Sequence, residues 1–348
     1  MRSVDLRRDT ITLPSERMRA EAFRAPLGDS VYGEDPKQRE LEEYAAWRLG
    51  KEEAIFVPSG TMGNLAALLA HTARGDEIIV EENAHIRLSE TGGAAAVGGL
   101  MIRTVRGPAG VPEPGDIESA VRPDDIHYPK TALICLENTH YRYGGLAAPP
   151  DAFARVRAVA ERCGLPIHLD GARLFNAAVS LGVDAREIAR HVDSVMVSLS
   201  KGLGAPVGSI LCGRPEFINR AKRFRKMLGG GMRQTGWLAA CGLIALSDES
   251  IARLAEDHLN ARRLAEGILR LPGFGLDPQK VHTNFVLARF SHPRCTARRL
   301  LELMGEKGVL AAQADESTLR FVTSSRVCAD DIAYAVEAIA GILESTGA

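Results

Sequence analysis

Lys201 stands in "SLSKGLGAPVGS" (residues 198–209), after an apolar run and ahead of Gly202 and Gly204. The glycines leave the backbone around its amine uncrowded by side chains. An amine fixed at a strand end in a low-dielectric pocket loses part of its proton affinity and can form a Schiff base with an aldehyde cofactor. Taken alone, a solvated turn lysine is the commoner reading. Asp170 shifts that balance, because it closes another apolar run, "LPIHLD", one strand earlier. In pyridoxal phosphate enzymes a carboxylate keeps the ring nitrogen protonated, so that the ring draws off charge left at the substrate's α-carbon. The competing reading makes Asp170 a helix cap paired with Arg173.

Further residues could serve the same chemistry. In "VPSGTMGNLAALLA" (57–70), Ser59, Gly60 and Thr61 precede an apolar helix. Its unpaired N–H groups and positive end could hold an ester phosphate, with Ser198 and Ser200 beside Lys201 adding hydroxyls. A serine before a helix is more often just a cap, and neither stretch follows the GxxxxGK[ST] order of nucleotide-binding loops. His85 closes "DEIIVEENAH" and could stack on a cofactor ring and reach its substrate; His140 closes "TALICLENTH" and has the same claim. A lone histidine is more often a hydrogen-bonded loop residue, but placement at a strand end favours function for both.

These residues need a scaffold that gathers them. "EAIFVPSG", "DEIIVEENAH", "TALICLENTH", "LPIHLDGAR", "DSVMVSLSK" and "GSILCG" each carry a continuous apolar run, as strands buried on both faces do, and they alternate with helical stretches. That alternation predicts an α/β fold with a parallel sheet, whose ligands collect where the strands end. Near residue 250 the texture changes. Ile251, Leu254, His258, Leu264, Ile268 and Leu271 approximate one helical face, and "HTNFVLARF" and "STLRFVTS" then alternate with two helices. The division expected is a large domain over 1–250, whose N-terminal segment contributes to the site, and a small C-terminal α/β domain over 251–348.

Composition narrows the partners. A net charge of -1 over 348 residues favours neither a nucleic-acid footprint nor a membrane surface. No apolar run approaches the roughly 18 residues of a membrane span, and the start "MRSVDLRRDT" is charged from its second residue. The six cysteines are scattered, without a CxxC pair, and read as reduced packing residues. A cytoplasmic protein acting on a small molecule, without a metal, is the expectation.

The motifs "VYGEDP", "FVPSGTMGNLAALLAH", "LENTH", "HLDGARLFNAAVSLGV", "SLSKGLGAPVGSIL" and "RKMLGGGMRQTGWLAA", in this order, resemble those of the low-specificity L-threonine aldolases. The resemblance runs from "DLRRDT" to "RFVTS". It implies the fold type I architecture of pyridoxal phosphate enzymes: a large domain with a mostly parallel seven-stranded sheet and a small C-terminal domain. It also implies a homo-oligomer, a dimer with shared active sites and usually a tetramer. By resemblance Lys201 carries the cofactor, Asp170 partners its ring nitrogen, His85 stacks on the ring, and Gly60 and Thr61 belong to the phosphate cup. Arg173 and Arg320 hold the substrate carboxylate; Arg173 and Arg233 are also placed against the cofactor. Lys226 and Arg233 match basic residues expected to reach an active site, that of a neighbouring subunit. The reaction implied is cleavage of threonine, or a related 3-hydroxy amino acid, to glycine and an aldehyde, with His85 or His140 as base. Other pyridoxal phosphate reactions on the same scaffold, such as transaldol transfer, β-elimination or racemisation, are the alternative, and a non-catalytic pyridoxal phosphate-binding protein is a further one. One departure stands out: Arg8 replaces the serine of the family's "DLRSDT", and can turn outward, shrink the pocket or recognise a second acidic group. Tyr141 and Tyr143 follow His140 in a loop that could line the side-chain pocket.

Overall fold

The structure is a computed structural model that describes residues 2–107 and 110–345. In chain order its strands are β1 (Val4–Asp5), β2 (Glu53–Val57), β3 (Glu77–Glu81), β4 (Met101–Val105), β5 (Thr131–Glu137), β6 (Ile167–Asp170) and β7 (Ser194–Ser198). There follow β8 (Ser209–Gly213), β9 (Phe274–Gly275), β10 (Phe285–Phe290), β11 (Val309–Leu310), β12 (Ala312–Gln313) and β13 (Thr318–Val322). Seven of them form one sheet in the order β2-β8-β7-β6-β5-β3-β4. Only β8 runs against its neighbours, so the other six point their carboxyl ends the same way.

All six apolar runs singled out in the sequence are strands of this sheet. β5, "TALICLE", is buried at every position, as a central parallel strand covered on both faces must be. The seventh strand, β4, lies at the sheet edge, where "MIRTV" is mostly exposed or half-buried and carries no apolar run to reveal it. Register then sets the chemistry: Glu137 lies beside Asp170, Asp170 beside Met196, and Ser198 and Val57 both face Ser209. The side chains that close the strands therefore share one rim of the sheet.

Local signals shape the helices around that rim. Asp35 caps the helix Pro36–Leu49 by accepting from the Gln38 N–H at 2.9 Å, Pro36 opens it, and Gly50 ends it in the left-handed conformation. Ser59 caps the helix Gly60–His71 by accepting from the Met62 N–H at 3.2 Å. The largest apolar cluster packs between the sheet and the helices on one face, with Phe56, Ile79, Ile134, Phe153 and Leu169 at its centre. A second cluster gathers Leu264, Ile268, Val286, Leu300, Phe321 and Ile339 around the antiparallel sheet β12-β13-β10-β9.

The amino-terminal segment belongs to that second cluster. β1 pairs in parallel with β11, and Val4 and Leu6 are buried among C-terminal residues. The chain then returns to the rim, where Thr12 Oγ1 donates to the Lys201 carbonyl at 2.8 Å.

Candidate active site

Lys201 lies just beyond β7, and Asp170 closes the adjacent strand β6. Burial and the Arg173 guanidinium push the Lys201 amine down to about 8, against the opposing pull of Asp170, Asp9 and Glu137. Asp170 is buried at 2 % exposure. Its Oδ2 accepts from the Asn64 amide at 2.9 Å and its Oδ1 from the Ala172 N–H at 3.1 Å. Among the described residues no cation of the protein pairs with it. The cap-and-ion-pair reading of Asp170 therefore fails on both halves: the helix Leu174–Leu181 starts at Arg173 without a side-chain cap, and Arg173 is engaged elsewhere.

That engagement is with Asp9. Arg173 donates Nε–H and Nη2–H to the two oxygens of Asp9, each at 2.7 Å, and both residues are buried. Burial alone would raise the Asp9 carboxyl; Arg173 and its hydrogen bonds outweigh this and hold it below the usual carboxylate range. The Arg173 guanidinium carbon lies 4.8 Å from the centre of the Phe285 ring and 5.7 Å from that of Tyr141. Arg320, on β13, approaches the same Tyr141 ring at 5.1 Å and hydrogen-bonds its hydroxyl. Tyr141 thus joins two arginines from distant parts of the chain. The Arg320 Nε is buried without a partner among the described residues, an unmet donor beside Tyr141, the neighbour of the Arg173 guanidinium.

His85 and His140 fall in different surroundings. The His85 Nδ1 lies 2.9 Å from Glu90 Oε1, its backbone N–H donates to Glu137 Oε2 at 2.7 Å, and its Nε2 has no hydrogen-bond partner among the described residues. Burial lowers the affinity of this imidazole for a proton, but the hydrogen bond to Glu90 and the charges of Asp170, Glu90 and Glu137 raise it further. His140 is wholly buried, with Nε2 at 2.9 Å from Glu81 Oε2 and Nδ1 unpartnered. A Cβ at Gly110 would come within 2.5 Å of its ring, so that glycine permits the loop to close over it. Tyr143 packs on His140 at 4.6 Å and donates to Glu81 Oε1 at 3.0 Å. Glu137, pushed up by burial, ties the two regions together by accepting from the His85 and Tyr141 N–H groups, both at 2.7 Å.

The proposed phosphate cup is open: Ser59 and Thr61 are exposed and Gly60 half-buried at the start of the helix. Ser198 is buried, with Oγ 3.4 Å from Ser209 Oγ, and Ser200 is half-buried. A Cβ at Gly60 would meet Met196 Cε at 3.1 Å and Ser198 Oγ at 3.2 Å, which shows how closely Ser198 lies under the helix start. Lys226 and Arg233 do not join Lys201 within this chain. Lys226 is exposed and lines a cleft of about 530 Å³ with Tyr32, Gln38 and Arg225, while Arg233 pairs with Asp29 at 2.9 Å. Arg8 is exposed, and its guanidinium has no partner among the described residues, as the outward alternative requires.

Several residues of this site escaped sequence reasoning. Asn64 donates to Glu90 Oε1 at 2.7 Å as well as to Asp170. It sits amid the apolar stretch of the helix "GTMGNLAALLAH", and a lone amide in such a stretch is the signal that could have exposed it. Asp9 was visible in "DLRRDT" but had no visible partner, because Arg173 is 164 residues away. His85, Glu90 and Asp170 bring ligand-type atoms within 4.8 Å of one another. Asn64 and the His85 Nδ1 already satisfy those atoms by hydrogen bonds, so the cluster reads as a polar network.

The donor set fits pyridoxal phosphate. A partly neutral lysine can hold an aldehyde, a buried carboxylate without a protein cation can hold a protonated ring nitrogen, and an open helix start can hold a phosphate. The fold is that of the fold type I pyridoxal phosphate enzymes. A family model described as beta-eliminating lyase matches residues 5–291. Low-specificity L-threonine aldolase 1 of Arabidopsis thaliana is 43% identical over 339 residues, spanning 96% of this chain and 94% of that protein. The low specificity L-threonine aldolase of Escherichia coli K12 is 44% identical over 308 residues, 88% of this chain and 90% of that one. The solved structure of Leishmania major threonine aldolase superposes with a TM-score of 0.84 over 98% of this chain and 99% of its own, at 21% identity. The chain belongs to the low-specificity threonine aldolases of the beta-eliminating lyase family.

Proposed function

We propose that this protein cleaves L-threonine, L-allo-threonine or a related L-3-hydroxy-α-amino acid to glycine and an aldehyde, with pyridoxal phosphate held by Lys201 and Asp170. The observation that carries this reading is the buried carboxylate of Asp170, which forms no ion pair with a cation among the described residues, on the strand next to Lys201. When bound, pyridoxal phosphate accepts the electron pair released at the α-carbon as the bond to the β-carbon breaks. The protein's residues do the rest. With its amine lowered to about 8, roughly a tenth of Lys201 is neutral at pH 7 and able to act as a nucleophile. Gly60 and Thr61 offer N–H groups to the phosphate, aided by Ser59 and Ser198, and His85 covers the ring. Arg320, with its unmet Nε, and Arg173, held square by Asp9, grip the substrate carboxylate and fix which α-bond is broken.

The base that takes the β-hydroxyl proton is His85. Its Nε2 has no hydrogen-bond partner among the described residues and Glu90 fixes its Nδ1, whereas His140 is wholly buried with Nε2 committed to Glu81. General bases of this kind contribute roughly 100-fold to 10,000-fold. His140 then orients the Glu81–Tyr143 side of the pocket. Arg8, exposed and turned outward, leaves the substrate carboxylate to Arg173 and Arg320.

The working unit is a dimer with shared sites, two of which form a homotetramer, in the cytoplasm, each copy divided into 1–250 and 251–348. Exposed Phe23, Tyr32, Met227 and Trp237, on segments flanking Lys226 and Arg233, support an interface there, through which those two residues would serve a neighbouring copy. Six free cysteines fit a reducing compartment, and no helix among the described residues is long and apolar enough to cross a membrane.

Product identity tests the reading. Incubation with L-threonine is expected to yield glycine and acetaldehyde in equal amounts; ammonia and a 2-keto acid would instead establish elimination. A panel of allo-threonine, phenylserine and β-hydroxyaspartate, with Arg8→Ser beside the wild type, assigns the substrate range.

A further inference from the structure

A file of buried hydrogen bonds leads to Asp170, and its direction is dictated from the carboxylate end. Asn64 is wholly buried and directs its amide nitrogen at Glu90 Oε1 and Asp170 Oδ2, at 2.7 and 2.9 Å. Asp170, as the ionised partner of the ring nitrogen, only accepts hydrogen bonds. Glu90, although burial raises its proton affinity, accepts from the His85 ring at the same Oε1. The amide nitrogen must therefore face them and the amide oxygen must face the other way. There it meets His168 Nε2 at 3.1 Å, which must carry a proton. Burial, with His71 nearby, pushes the His168 ring down to about 3, so it is neutral at pH 7 and Nδ1 can only accept. The Ser194 hydroxyl, 2.9 Å away, donates to that Nδ1. The Ser194 oxygen in turn accepts from His71 Nε2 at 2.7 Å. Burial also pushes His71 down to about 4, and its ring stacks on Phe217 with centroids 4.4 Å apart.

Every donor in this file thus points toward Asp170 and Glu90. A reversed amide would set its oxygen against two carboxylates, and the neutral ring of His168 could no longer donate to it. We propose that Asn64 is a positioning residue for the reaction, holding Asp170 and Glu90 together, and that His168, Ser194 and His71 lock its amide in the orientation that does so. The inference rests on reading Asp170 as the partner of the ring nitrogen. Two functions follow from the geometry. The N–H to Asp170 favours the ionised carboxylate that a protonated ring nitrogen needs, and the N–H to Glu90 favours the ionised carboxylate that holds the His85 Nδ1–H. Because Asn64 stands one turn from Gly60 on the same helix, that helix sets both the phosphate cup and the Asp170 carboxylate.

The groups facing His85 are Glu90, Asp170 and Glu137, with Tyr141 edge-on at 6.0 Å; those around Asp170 are Lys201, Glu90, Glu137, His85, His168 and Cys135. Removing the Asn64 donors leaves all of these in place, takes a hydrogen bond from each carboxyl group and raises the proton affinity of Glu90 further. His85 then loses part of its anionic partner, and its titration moves to lower pH.

The test uses Asn64→Leu, His168→Phe and His168→Gln in the full chain. Two quantities are read: the dissociation constant of pyridoxal phosphate, from visible absorbance, and the His85 titration midpoint, from nitrogen-15 NMR of the histidine rings. Asn64→Leu is expected to weaken cofactor binding by roughly tenfold to a hundredfold, the loss that follows a hydrogen bond to a charged group, and to lower the His85 midpoint. His168→Phe should shift both in the same direction by less, and His168→Gln, whose amide can donate to Asn64, should restore both. Should Asn64→Leu fail to fold, the His168 pair decides alone, since Asn64 is retained. Folded variants with unchanged cofactor affinity and unchanged His85 midpoint overturn the inference. A wild type that binds no pyridoxal phosphate overturns the functional reading instead, and the His85 midpoints still judge the network.

Discussion

Asp9→Asn isolates the buried arginine–carboxylate pair of the site. In the wild type, Asp9 is fully buried, meets Arg173 through two bonds of 2.7 Å and accepts from Asn284 at 3.3 Å. The substitution keeps the volume but leaves the guanidinium, itself 7 % exposed, without a counter-charge. Breaking one side of a buried pair costs about 3 to 5 kcal/mol, a large share of the roughly 5 to 15 kcal/mol that holds a folded domain together. Urea unfolding followed by circular dichroism should therefore show a loss in that range. Removing both charges, as Asp9→Leu with Arg173→Met, should recover much of it, because an apolar pair avoids the desolvation of two ions. The stranded Arg173 should also seek another anion, so glycine or acetate should stabilise Asp9→Asn more than the wild type. Stability within about 1 kcal/mol of wild type, with additive effects in the double variant, would refute the reasoning.

Two further predictions concern the rim. The Lys201 amine is lowered from 10.5 to about 8, so the unfolded chain binds that proton more tightly, and protein stripped of cofactor should gain stability as pH rises through that window. Its rate of cofactor rebinding, followed by stopped-flow absorbance, should rise to a plateau with a midpoint of about 8, where an ordinary lysine would give one of about 10.4. Gly63→Ala places a Cβ 2.8 Å from Met196 Cγ and 3.3 Å from Val57 Cγ2. Overpacking of about 1 to 3 kcal/mol should exceed the gain in helix propensity of about 1 kcal/mol, a net loss measurable by urea unfolding.

How much of this was legible depended on whether a residue's partner was near it in sequence. Strands buried on both faces announce themselves, as β5 does with "TALICLE", and their last residues, Asp170 among them, were readable as a rim. β4 was not readable, because an edge strand with Arg103 and Thr104 carries no apolar run. Lys201 and Asp170 could be matched from their strand ends, but the partner of Arg173 could not. That pairing depends on the amino-terminal segment crossing to β11 and returning to the rim, a path no local pattern encodes. The two histidines were equivalent in sequence and became different only through packing: Glu81 and the Gly110 loop enclose His140, while His85 keeps one nitrogen open.

The central claim is that Lys201 carries the cofactor. Borohydride reduction of the loaded protein, followed by digestion and mass spectrometry, should find a pyridoxyl group on the peptide containing Lys201 and none on Lys51, Lys222 or Lys226. A pyridoxyl group on another lysine, or undiminished threonine cleavage by Lys201→Ala, would contradict it.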